Sequence, residues 1–162
     1  MDDPPLNPGE IRKPPTFLKV LCTLSMINGA YGMISGLANA ISPPEVNDRM
    51  IEDIFSRLED FALPIEEVRP QLETFMVNTM LNMANIGASS FIFYGMSLVG
   101  AWLMLRANRH GFGLYIVAQV GLAFVPSFFG GLDTLGWANF LILMIWNGIW
   151  VAMYAANRRY FS

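Results

Sequence analysis

The sequence predicts an all-α integral membrane protein, a four-transmembrane-helix bundle with a small extracytoplasmic helical cap between the first and second spans. Three observations lead there. Of 162 residues, 54% are hydrophobic and only 14% charged, against about 25% charged in an ordinary soluble domain. Four charge-free runs each reach the roughly 20 residues that cross about 30 Å of hydrocarbon. Between the first two runs lies an acidic segment whose apolar residues recur at helical spacing. With a mean hydropathy of +0.41, the composition excludes a disordered chain, a collagen-like fibre and a soluble coiled coil. A lone cysteine, Cys22, excludes an intrachain disulfide framework. A net charge of −3 with scattered basic residues argues against nucleic acid as a partner.

Taken in order, residues 1–15 carry five prolines and read as an extended tail, ahead of a single membrane domain over 16–162. The first span covers about 17–41, inside the charge-free run Val20 to Ile41. Lys19, that run and Ala38-Asn39-Ala40 imitate a cleaved signal peptide. The run is longer than the roughly 7–15 residues of a signal core, so a retained span is preferred.

The cap occupies about 42–81. After Ser42-Pro43-Pro44, the residues Val46, Met50, Ile51, Ile54, Phe55, Leu58 and Phe61 form one apolar stripe, opposite acids and arginines. Pro64 ends this helix or opens the next turn. Anionic lipid selects for Lys and Arg on a polar face, so the stripe is expected to pack on protein. The target is the projecting start of the second span, read as one helix from Gln71 to Leu105, with Leu72, Phe75, Met76, Met80 and Met83 available. The spans that follow are expected at about 82–105, 111–132 and 135–157. Pro126 is expected to kink the third of the four, with Gly130-Gly131 ending it.

Basic residues set the orientation. Arg12, Lys13, Lys19, Arg106, Arg109, Arg158 and Arg159, seven of the ten, fall on one side, and Arg49, Arg57 and Arg69 lie among nine acids on the other. The positive-inside rule therefore puts both termini in the cytoplasm of an inner (cell) membrane and residues 42–74 outside. Trp102, Tyr115, Tyr154 and Tyr160 toward the inner face, and Trp137 toward the outer, suit interfacial belts. Asn108 and Asn157, each followed by Arg, resemble caps at helix C-termini.

No Asp, Glu, Lys, Arg or His lies mid-span, which leaves ion-coupled pumps and proton relays without their usual groups. No HExxH, GxSxG or P-loop pattern occurs, and the single His110 lies in a loop. No enzyme, cofactor or metal site is expected. Met76, Met80 and Met83 offer soft thioethers for copper(I), but without a Met-x-Met pattern or a nearby His they read as adaptable packing.

The polar content of the spans is amides and hydroxyls. At about 100° per residue, Ser25, Asn28, Gly32, Ser35 and Asn39 share one face of the first span, with Gly29 and Gly36 beside it. Asn78, Asn82, Asn85 and Ser89 form a second stripe. In the fourth span Gly148, Ala152 and Ala156 repeat at small-xxx-small spacing, near Asn139 and Asn147. Small residues bring helices close and Asn bonds across the contact, so packing is the preferred reading. The expected function is then a non-catalytic accessory, assembly or stabilising subunit. Its partners would be the lipid bilayer and another membrane protein or a second copy. The alternative is a small-molecule or lipid carrier with an Asn-lined cleft between the first and second spans.

Overall fold

The computed structural model describes residues 15–42, 48–60 and 66–160. Among these the chain forms six α-helices and no strand: α1 Thr16–Ile41, α2 Asp48–Asp60, α3 Arg69–Leu81, α4 Met83–Leu105, α5 Arg109–Gly130 and α6 Thr134–Ala155. A short 3-10 turn, Arg158–Tyr160, follows. Four of them, α1, α4, α5 and α6, are long and apolar enough to cross a membrane. The chain is therefore a multi-pass helical membrane protein, since in lipid only a helix or a closed barrel satisfies its own backbone. The expected features at residues 1–14, Pro43-Pro44, Phe61 and Pro64 lie outside the described residues.

The spans pack in chain order, α1 on α4, α4 on α5 and α5 on α6, and no close backbone seam joins α6 back to α1. Glycines set the first two seams. A Cβ built on Gly36 would come within 2.8 Å of the Phe91 nitrogen, and one on Gly87 within 2.6 Å of the Gly36 carbonyl oxygen. The α4–α5 seam repeats the device, with Gly111 against the Gly100 carbonyl. Such backbone approach replaces the hydrophobic drive that helices lose in lipid with dense van der Waals contact. At the end where α1 begins and α6 finishes, Leu18, Leu21, Cys22, Met104, Tyr115 and Tyr154 form a closed core.

The second span differs from the single helix expected from Gln71 to Leu105. It breaks at Asn82, whose backbone (φ −99°, ψ 13°) leaves the helical basin. The Asn82 amide turns back to donate to the Asn78 carbonyl at 2.9 Å. Asn side chains compete with the helix for backbone groups in this way. Freed by the break, α3 lies against α5 and α6 as well as α4, with the Phe75 ring over Gly130.

The cap helix packs on α3. Ile51 and Phe55 are buried against Leu72, Met76, Val77 and Met80, so two of the three methionines of the stripe serve as packing. Arg69 binds Glu52 at 3.1 Å and lies 4.7 Å over the Phe55 ring.

The helix ends follow local chemistry, with one correction. Asn108 is the N-cap of α5 and accepts from the His110 amide at 2.9 Å, rather than capping the C-terminus of α4. That C-terminus closes through Ala107 in the left-handed region (φ 56°), its amide bonding Met104 and the Asn108 amide bonding Leu103. Asn157 does serve a C-terminus, donating to the Met153 carbonyl at 2.9 Å. Pro126 lies inside α5, and Gly131 (φ 132°) ends that helix in a conformation L side chains avoid.

Candidate functional site

The amides singled out in the sequence divide into two groups. Three of them, Asn78, Asn139 and Asn147, hold helices together, and α5 is their common acceptor. Asn78 donates to the Gly130 carbonyl at 3.1 Å, satisfying one of the orphan acceptors at the end of α5. Asn139 donates to Ser127 Oγ at 2.9 Å, and Asn147 to the Gln119 carbonyl at 3.0 Å. Asn82 bonds locally and Asn85 donates only to Asn82, at 3.3 Å. Ser89 and Asn39 are half-buried, with Asn39 contributing backbone to the Gly36–Gly87 crossing.

Asn28 belongs to the second group. It is exposed, and among the described residues its amide makes no hydrogen bond. It faces a partly open recess of about 290 Å³ bounded by all four spans. The polar wall comprises Ser25 and Asn28 from α1, Tyr94 from α4, Tyr115 and Gln119 from α5, and Asn147 from α6. Leu122, Leu143, Trp146 and Trp150 supply the apolar wall. The recess is not confined to the first and second spans, because α5 and α6 supply most of its lining. The Tyr94 ring lies over Gly32, and its hydroxyl likewise has no hydrogen bond among the described residues.

The floor of the recess is a hydroxyl network. Tyr154 donates to Ser25 Oγ at 2.9 Å, and Ser25 and Tyr115 share a bond of 3.3 Å. Their rings meet edge to face, 4.7 Å apart. Gln119 donates to Ser97 Oγ at 3.1 Å, tying α5 to α4. This corrects the interfacial reading of Tyr115 and Tyr154, which are 2% and 0% exposed and belong to the bundle interior. Each phenol finds a hydroxyl partner, which is what permits the burial. Sequence reasoning passed over Ser97 and Gln119. Gln119 is the one glutamine in the four spans, and a polar side chain that long inside a span is itself a signal. Replacing Tyr154 by Phe is expected to cost about 0.6–2 kcal/mol. Thermal unfolding in detergent checks this, and an unchanged midpoint would mean that the bond to Ser25 contributes nothing.

The remaining candidates point away from the bundle. Ser35, Gly148 and Ala152 are exposed, and a Cβ on Gly148 would meet nothing within 4 Å. Among the described residues, no three of His, Cys, Asp and Glu come together as a metal site. No protein-family model, curated protein or solved structure matches the chain.

Proposed function

We propose that the protein is a non-catalytic membrane protein that holds a small uncharged molecule in the recess between α1 and α6. One observation carries this reading: Asn28 and Tyr94 line the recess at mid-span, and neither side chain has a hydrogen-bond partner in the described chain. Polar groups at that depth cost free energy unless water or a ligand satisfies them. The clustering of seven basic residues on one side supports an inner-membrane location with both termini cytoplasmic and the α2–α3 cap outside.

The test is native mass spectrometry of protein extracted gently from its own membrane. Wild type is expected to retain one molecule per chain, and Asn28→Leu to lose it at an unchanged unfolding temperature. If the folded variant retains the same molecule, the reading fails.

A second reading, an accessory subunit or self-associating protein, is favoured by a separate observation. In the apolar stretch of α6 only 6% of the residues are buried, against 39% in that of α5. Its outward face carries Gly148 and Ala152 at a spacing that suits close helix approach. Gly148→Leu is then expected to dissociate a complex while leaving the unfolding temperature of the chain unchanged. An identical oligomeric state in wild type and variant would remove this reading.

A further inference from the structure

We infer that the molecule held in the recess is a membrane quinone: a planar, uncharged, carbonyl-bearing ring on an apolar chain, entering sideways from the lipid. The inference rests on the ligand-binding reading above and adds the chemical class and the route.

Charge comes first. Among the described residues, no Asp, Glu, Lys, Arg or His lines the recess. A phosphate or ammonium head group would be stripped of water there with no counter-charge, the costliest burial available. The ligand is therefore neutral. Its hydrogen-bonding pattern follows from the two unpartnered groups. The Tyr94 hydroxyl and the Asn28 amide nitrogen can each donate, besides the acceptor oxygen each side chain carries, and the two come from different helices on the wall of one recess. Two donors on separate supports suit a head group with more than one acceptor oxygen, as a quinone ring has.

Shape narrows the class. A volume of about 290 Å³ is at the lower bound of the roughly 300–1,000 Å³ that enclose whole drug-sized ligands. It admits a single ring and leaves a long chain outside. Tyr94, Tyr115, Trp146 and Trp150 give the recess four aromatic rings. Aromatic faces and edges favour offset or edge-on contact with another flat ring.

The route follows from depth and from the missing seam. Asn28 lies 12 residues into the 26-residue α1, or about 18 Å along its axis, so the recess sits deep within the hydrocarbon. Asn28 is exposed and Trp146 is 63% exposed, on α1 and α6 respectively, and these two helices share no close backbone seam. The mouth therefore opens to lipid, and an isoprenoid chain would leave through it among the acyl tails.

The experiment places the full chain, with Trp102 and Trp137 replaced by Phe, in nanodiscs of neutral lipid. Decyl-benzoquinone is titrated in, and quenching of Trp146 and Trp150 is followed. Saturable quenching at one quinone per chain is expected, superimposed on the linear quenching from partition into lipid. Asn28→Leu and Tyr94→Phe are each expected to weaken it about tenfold. Tyr94→Phe keeps the ring over Gly32, so folding is preserved and only the hydroxyl is tested. Quenching that stays linear while native mass spectrometry still finds a retained molecule overturns the quinone assignment alone. Displacement of the quinone by an equal concentration of diacylglycerol also overturns it, because a planar ring would then not be what the site selects. Linear quenching with no retained molecule overturns this inference and the ligand-binding reading together.

Discussion

Gly87→Ala is expected to lower the unfolding temperature more than any other single-methyl addition in the α1–α4 seam. The added Cβ would come within 2.5 Å of the Ala40 nitrogen, 2.6 Å of the Gly36 oxygen and 2.8 Å of the Asn39 carbonyl carbon. All three are backbone atoms, so no rotamer change relieves the contact and the two helices must separate. Overpacking of a close-packed interior costs about 1–3 kcal/mol and sometimes more, and a helix–helix seam closed on both sides by backbone belongs at the top of that range. Gly148→Ala is the control, because a Cβ there meets nothing within 4 Å. Thermal unfolding of both variants in one detergent checks the contrast. Equal midpoints would show that α1 and α4 do not cross at Gly36 and Gly87.

Phe55→Ala is expected to release the α2 cap from α3. Phe55 is 1% exposed and, like Ile51, is buried against α3. Truncating a buried Phe costs about 3–5 kcal/mol, and the ring also loses its contact with the Arg69 guanidinium. The Arg69–Glu52 pair has side chains 40% and 70% exposed, which places it among ion pairs worth about 0–1 kcal/mol. Apolar burial, not the ion pair, therefore decides whether the cap stays docked. Protease cleavage around α2 is expected to rise more than about a hundredfold in Phe55→Ala, since each 1.4 kcal/mol is tenfold, and far less in Glu52→Gln. Similar rates in the two variants would contradict the packing of α2 on α3.

The spans and the cap were legible because their signals are local. A run such as Val20 to Ile41 without a charge has one use, and an apolar stripe through Ile51 and Phe55 needs a surface beside it. Two features depend on which helices become neighbours and a third on a local choice of side-chain partner, and these were not legible. A helical wheel puts Ser25, Asn28 and Gly32 on one face of α1, yet the bundle gives Gly32 to the Tyr94 ring, Ser25 to the hydroxyls of Tyr154 and Tyr115, and Asn28 to the recess. Tyr115 and Tyr154 lie at the sequence depth of an interfacial belt. Only the meeting of α5 and α6 with α1 supplies the serine that lets them turn inward. The break at Asn82 rests on a side chain bonding its own helix backbone, and Asn78, four residues earlier, carries the same residue type without breaking anything. The amides likewise look alike in sequence. What separates Asn147, bonded to Gln119, from Asn28, bonded to nothing described, is the gap between α1 and α6.

A density map of the protein in lipid nanodiscs tests that gap. Density that is not protein is expected in contact with Asn28, Tyr94 and Asn147, with the mouth of the recess between α1 and α6. A map in which α6 closes onto α1 and the Asn28 amide bonds to the chain itself would contradict it.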